Sequence, residues 1–234
     1  MVGTNETRYG WMDEGFNQYM NILSAADRKG EPYNLDGLGQ RYGRISGSED
    51  EAAMMWSAND AGSGYGFQTY GKTPLMLSML GGIVGDEAVI NAMKKYTDVW
   101  SFKHPSPWDY IFFMNHELNQ NLEWFWYYWL WTTESVNGSI KNVTDANCKT
   151  LVTVYQAGEM PSPVVLKVEF ESDVTTSKMT NAKFLDKRTA IVTWPVDVWF
   201  NGKRDFIATL DFGKAKIKSI TLDPHGRFPD NDTS

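Results

Sequence analysis

Two hydrophobic periods divide the chain. Up to about residue 135 the apolar positions recur at helical spacing, and from about 149 they alternate. Residues 14 to about 28 carry Phe16, Tyr19, Met20 and Leu23 on one face, and Gly30 stands where a C-terminal cap falls. Residues 31–64 are rich in turn formers and read mostly as loop, with a short helix at 49–57 as the one regular element. Residues 75–80 are apolar nearly all round, which predicts a buried helix. Gly85-Asp86 ends it and begins another over 87 to about 97, with Val89, Ile90, Met93 and Tyr96 opposite Lys94 and Lys95. Pro107 then opens a helix over 108–117, and an aromatic run over 122–131 follows.

Past residue 134 the period shortens to two. Val164, Leu166, Val168 and Phe170 alternate with Val165, Lys167 and Glu169, as in a half-buried strand. Residues 191–200, the Asn201-Gly202 turn and 205–211 read as a hairpin, and 216–222 alternates again. The fold class is therefore α+β: a mainly helical region, 1–135, followed by a small antiparallel β-sandwich, 149–234. The last five residues, 230–234, are polar and read as a loose tail.

Composition narrows the function classes. With 42% hydrophobic and 22% charged residues the chain is neither disordered nor membrane-spanning. A net charge of -7 argues against nucleic-acid binding through phosphate neutralisation. The single Cys148 excludes an intrachain disulfide. Hydrolase chemistry needs a nucleophile or a metal, and no G-x-S-x-G elbow, phosphate-cradling glycine loop or closely spaced cysteine pair is present. His116-Glu117 begins like H-E-x-x-H, but Gln120 stands at the fifth position, so the second imidazole is missing. His225 reads as a loop residue.

Two segments carry more. Trp11-Met12-Asp13-Glu14-Gly15-Phe16 places acids in the first turn of a helix, where the dipole favours them. It also resembles the W-x-x-E-G-F signature of the aminopeptidase N-type zinc peptidases, the gluzincin family with an H-E-x-x-H…E zinc site. Residues 2–9 resemble the link that precedes that signature. Tyr65 to Lys72, with Tyr70-Gly71-Lys72 at its end, resembles the family's Y-x-K motif, although Thr73 separates Lys72 from Pro74 and departs from the usual continuation. Weaker likenesses to bacterial members run through 85–131 and the strands. The aromatic run itself reads as a packed helix face.

The resemblance implies specific roles. Glu14 would be the third zinc ligand, Tyr70 the hydroxyl that donates to the oxyanion of the tetrahedral intermediate, and Tyr65 a residue lining the site. In that family eighteen residues separate the second histidine from the glutamate, which places that histidine six residues before Met1. The chain is thus expected to be the C-terminal portion of a Zn2+ aminopeptidase, bacterial-like, whose missing N-terminal region holds H-E-x-x-H. Peptide bonds would be the substrate in the intact parent, while this chain alone would be inactive and bind zinc weakly, because such sites need three or four protein ligands. A missing partner region also implies exposed apolar surface and self-association. A second class stays open: a non-catalytic peptide- or protein-binding module.

Overall fold

A computed structural model describes residues 2–174 and 179–231. Residues 232–234, most of the tail expected to be loose, lie outside the described residues. The chain divides into two compact units, Met1–Glu134 and Ser135–Ser234. The architecture is α+β, with helices in the first unit and two antiparallel sheets in the second.

The helical unit contains α1 (Glu14–Lys29), a short α2 (Ala58–Ala61), α3 (Lys72–Val84), α4 (Asp86–Trp100), α5 (Pro107–Leu118) and α6 (Glu123–Trp131). Helix α1 ends on Gly30 in the left-handed conformation (φ +65°), which lets the glycine N–H return to the carbonyls of Ala26 and Asp27. Every residue from Lys72 to Gly81 is buried, so α3 is the central helix, with α1 and α4 packed against it. Helix α5 starts with a capping box between Ser106 and Asp109 beside Pro107. In α6 Phe125, Trp126, Trp129 and Leu130 are buried, and the Trp126 indole N–H donates to Asn115 Oδ1 at 2.7 Å. The aromatic run is a packed helix face.

The short helix expected at 49–57 does not form. Beyond one internal turn, from the Trp56 N–H to the Ala53 carbonyl, this stretch directs its backbone groups at other elements. The Ala53, Met54 and Trp56 carbonyls accept hydrogen bonds from the Gln68 amide at 2.8, 3.1 and 2.7 Å. A helix would need those acceptors for its own N–H groups.

The second unit has a three-stranded sheet in the order β1-β2-β6 and a four-stranded sheet in the order β4-β5-β3-β7. The first comprises β1 (Gly138–Ala146), β2 (Lys149–Gln156) and β6 (Asp205–Leu210). The second comprises β3 (Val164–Phe170), β4 (Ala182–Asp186), β5 (Thr189–Trp194) and β7 (Ile217–Leu222). Strand β1 thus occupies most of the segment that the sequence leaves between its two regions. Both sheets feed one core: Val152, Val154, Ala208 and Leu210 from the first, and Val164, Leu166, Val168, Phe170 and Val192 from the second.

The hairpin expected over 191–211 is absent, because β5 and β6 belong to different sheets. Pro195 ends β5, having no N–H to extend a ladder. The chain then turns through a 3₁₀ helix, Val196–Trp199, whose buried Trp199 donates its indole N–H to Ser162 O at 2.8 Å. Asn201-Gly202 therefore lies on a crossover between sheets.

Candidate functional site

The two motif segments meet at the N-terminal end of α1. Residues Gly10–Met12 form a 3₁₀ turn, and Glu14 is the first residue of the helix, where its carboxylate complements the free N–H groups. A π-helical turn, Phe67–Gly71, runs directly into α3. Pro74 accounts for that widened turn. It has no N–H to return to the Tyr70 carbonyl four residues back, and its ring would clash there in a regular α-helix. The departure at Thr73-Pro74 is thus matched by a local change in helix type, at the residue the motif singles out.

Close backbone approach holds the two elements in register. A Cβ on Gly15 would lie 2.3 Å from Thr73 Oγ1 and 2.8 Å from the Thr69 carbonyl oxygen. One on Gly10 would lie 2.9 Å from the Tyr65 hydroxyl. Glycine follows Glu14 because the start of α1 rests directly on the end of the π-turn and the start of α3.

This contact puts Glu14, Tyr65 and Tyr70 on one face. The rings of Tyr65 and Tyr70 stand edge to face with centroids 6.5 Å apart. Tyr70 is 41% exposed, so its phenol is open to a ligand. Its pKa is raised above 10.0, first by partial burial, then by the Glu14 charge, by Tyr65, by a hydrogen bond to the Glu14 carboxylate and by Asp13. The hydroxyl therefore stays protonated, as a hydrogen-bond donor must.

The opposite side of the same helical segment is buried and polar. Lys72 Nζ lies 3.1 Å from Glu51 Oε1, with both side chains only 2% exposed, and 3.4 Å from the Ala52 carbonyl. Tyr42 donates to the same Glu51 oxygen at 2.5 Å, and the Gly47 N–H donates to Glu51 Oε2 at 2.6 Å. Burial lowers the Lys72 pKa while Glu51 opposes the shift. Burial and the Glu51 carboxylate both push the Tyr42 phenol up. Sequence reasoning missed this cluster. Its one signal was a lysine in a run of otherwise apolar and small residues, which requires a buried acid that the sequence does not point to.

The remaining candidates fall elsewhere. His116 is exposed near the end of α5, Glu117 pairs with Lys95 at 2.6 Å, and the helix ends at Leu118. Gln120 is therefore not one turn along the same helix. His104 Nδ1 lies 3.0 Å from the Gly3 carbonyl oxygen, and His225 sits in the loop after β7. Among the described residues no three His, Cys, Asp or Glu side chains gather as a metal-binding group. Glu14 by itself does not meet the ligand number of a zinc site.

The helical unit also carries an apolar groove of about 910 Å³ between α1 and α4, lined by Phe16, Met20, Leu23, Ile90 and Met93, with Asp13 at the Glu14 end. No helix among the described residues is long and apolar enough to cross a membrane.

These elements build an aminopeptidase-like fold. No family model matches the chain, and no curated protein matches it by sequence. Among solved structures it is similar to the crystal structure of Legionella pneumophila aminopeptidase A in complex with aspartic acid, with a TM-score of 0.58 and 13% identity. The similarity takes in 93% of this chain and 23% of that one, so the chain spans less than a quarter of that protein's length.

Proposed function

We propose that the chain supplies the carboxylate-and-phenol part of a zinc aminopeptidase site of the gluzincin type, whose other groups come from an H-E-x-x-H-bearing element outside these residues. The observation that carries this reading is the meeting of Glu14 and Tyr70, 56 positions apart in the sequence, at one end of α1. Glu14 would serve as one metal ligand in the completed site. Tyr70 would donate a hydrogen bond to the carbonyl oxygen of a peptide bond as negative charge develops there, the step a fixed, protonated donor favours. Tyr65, edge-on to Tyr70, would hold that ring in place. The substrate is a peptide.

The groove between α1 and α4 supports the same reading, because its apolar lining begins beside Asp13 and suits the apolar face of a helix bringing further groups toward Glu14. Left open, it is also the surface through which the chain would self-associate. Sedimentation at rising concentration should show a dimerising species that Met20→Glu reduces.

The direct experiment mixes the purified chain with a separately produced, folded H-E-x-x-H-bearing portion and follows cleavage of aminoacyl reporter substrates. Activity should appear on mixing, be absent from either part, and be lost with Glu14→Gln or Tyr70→Phe. No recovery from folded parts would count against the proposal. So would a chain that alone holds one zinc tightly and cleaves the reporters.

A further inference from the structure

The four-stranded sheet ends on β7 and the three-stranded sheet on β1, and neither strand has a second partner among the described residues. The two edges come together at one end, where a Cβ on Gly138 would lie 3.4 Å from Leu222 Cδ2. Away from that end they frame a cleft of about 870 Å³, with Ile140 and Val143 on the β1 side and residues 213–220 on the β7 side.

Three properties of this cleft point to one kind of occupant. Its wall is apolar along the strands, through Ile140, Val143, Ile217 and Ile220. Its rim is basic: Lys149, Lys214, Lys216 and Lys218 line it against Asp145 and Glu171, a local excess of positive charge on a chain whose net charge is -7. Lys149 is paired with Asp211 at 3.3 Å, whereas Lys214 and Lys216 are exposed and enter no ion pair among the described residues. The third property is a free backbone edge. Asp223 N–H donates to the Val165 carbonyl, and Leu222 stands opposite Leu166 in the register. In an antiparallel pair, hydrogen-bonded positions alternate with positions whose N–H and C=O face the other way. Ile220, two residues from Leu222, therefore offers its backbone groups to the cleft rather than to β3.

We infer that this cleft binds an acidic polypeptide segment in extended conformation, added as a strand along the free edge of β7. The backbone edge would supply main-chain hydrogen bonds, the isoleucines would take alternate apolar side chains, and Lys214 and Lys216 would face the acidic ones. Lysines on an edge strand also serve to repel indiscriminate pairing. That role alone predicts that no acidic strand binds.

The test uses the whole chain and a fluorescein-labelled peptide of alternating Glu and Val, read by anisotropy. Saturable binding is expected, weakened at high salt. The Lys214→Glu/Lys216→Glu variant should lower affinity by about tenfold or more, with circular dichroism unchanged because both side chains are exposed. A Lys-Val peptide should not bind. Neither should a Glu-Val peptide N-methylated at alternate amides, which keeps its charge but loses one edge of hydrogen bonding. The chain's one cysteine, Cys148, is exposed on the cleft wall, so bound peptide should slow its alkylation and locate the site. Absence of saturable binding would overturn the inference. So would equal binding of the N-methylated peptide, an unaffected lysine variant, or alkylation of Cys148 at an unchanged rate.

Discussion

Tyr70 and Lys72 are two residues apart in one motif and face opposite ways. On the Lys72 side the charged groups are closely partnered: Glu51 takes hydrogen bonds from Lys72, Tyr42 and the Gly47 N–H, and the Gln68 amide nitrogen, one turn earlier, ties three carbonyls of the same loop. On the Tyr70 side the phenol is 41% exposed, with Glu14 and Tyr65 as its neighbours. The difference shows how a three-residue motif divides its work. The inward residue anchors a helical turn that Pro74 has already widened, and the outward residue is thereby presented in a fixed place. The open face is thus stabilised from behind, by a buried ion pair and the hydrogen bonds around it.

The sharpest way to break that picture is to cut the anchor. Lys72→Ala leaves Glu51 buried with its charge uncompensated, and should cost about 3–5 kcal/mol in urea unfolding. Adding Glu51→Gln removes that charge and should recover part of the loss, so the two substitutions should be strongly non-additive. A Lys72→Ala chain within about 0.5 kcal/mol of the original would mean that the turn is held by packing alone.

A smaller effect is expected where the elements touch. Gly15→Ala puts a methyl 2.3 Å from Thr73 Oγ1 and 2.8 Å from the Thr69 carbonyl oxygen, and should destabilise by about 1–3 kcal/mol. Thr73→Ala in the same chain removes only the first clash and should restore part of the loss. Gly66 makes a control in the same region. It has helical φ and ψ and nothing within 4 Å of its missing Cβ, so Gly66→Ala should be neutral or stabilising by up to about 1 kcal/mol. Equal effects at the two positions would show that close approach at Gly15 does not fix the register of α1 on α3.

These residues also mark how far the sequence could be read. Period located α1 and α4, each of which buries one stripe, and four of the strands, whereas α3 and α6 are apolar nearly all round and the short α2 carries no pattern of its own. The short helix expected at 49–57 is absent because carbonyls of that stretch are claimed by Gln68, a contact across 12–15 positions that no local pattern encodes. The hairpin failed for a related reason: Asn201-Gly202 has the composition of a tight turn, but Pro195 and the buried Trp199 carry the chain to the other sheet. At the site, Glu14, Tyr65 and Tyr70 could be named from their motifs. Their meeting could not, since it depends on two glycines at a helix contact and a π-turn. Nor could the Glu51–Lys72 pair, which requires knowing that Lys72 faces inward.

The smallest effect probes the open side directly. Glu14→Gln should leave stability within about 0.5 kcal/mol, since Glu14 lies at the edge of the fold rather than in its core. It should nevertheless lower the Tyr70 pKa, because the carboxylate contributes both its charge and a hydrogen-bond acceptor. The value should settle somewhat above 10.0, as partial burial is the first cause of the shift and survives the substitution. The sign for stability follows. A phenol whose folded pKa is raised contributes stability that is fully present below pH 10 and lost as pH rises through the folded value. That contribution should shrink in Glu14→Gln. Titration of ¹³C-labelled tyrosine by NMR, with Tyr70→Phe to assign the resonance, measures the shift without any substrate or second polypeptide. A Tyr70 pKa unmoved by Glu14→Gln would separate the two residues and remove the observation on which the peptidase reading stands, even if the buried anchor behaved as expected.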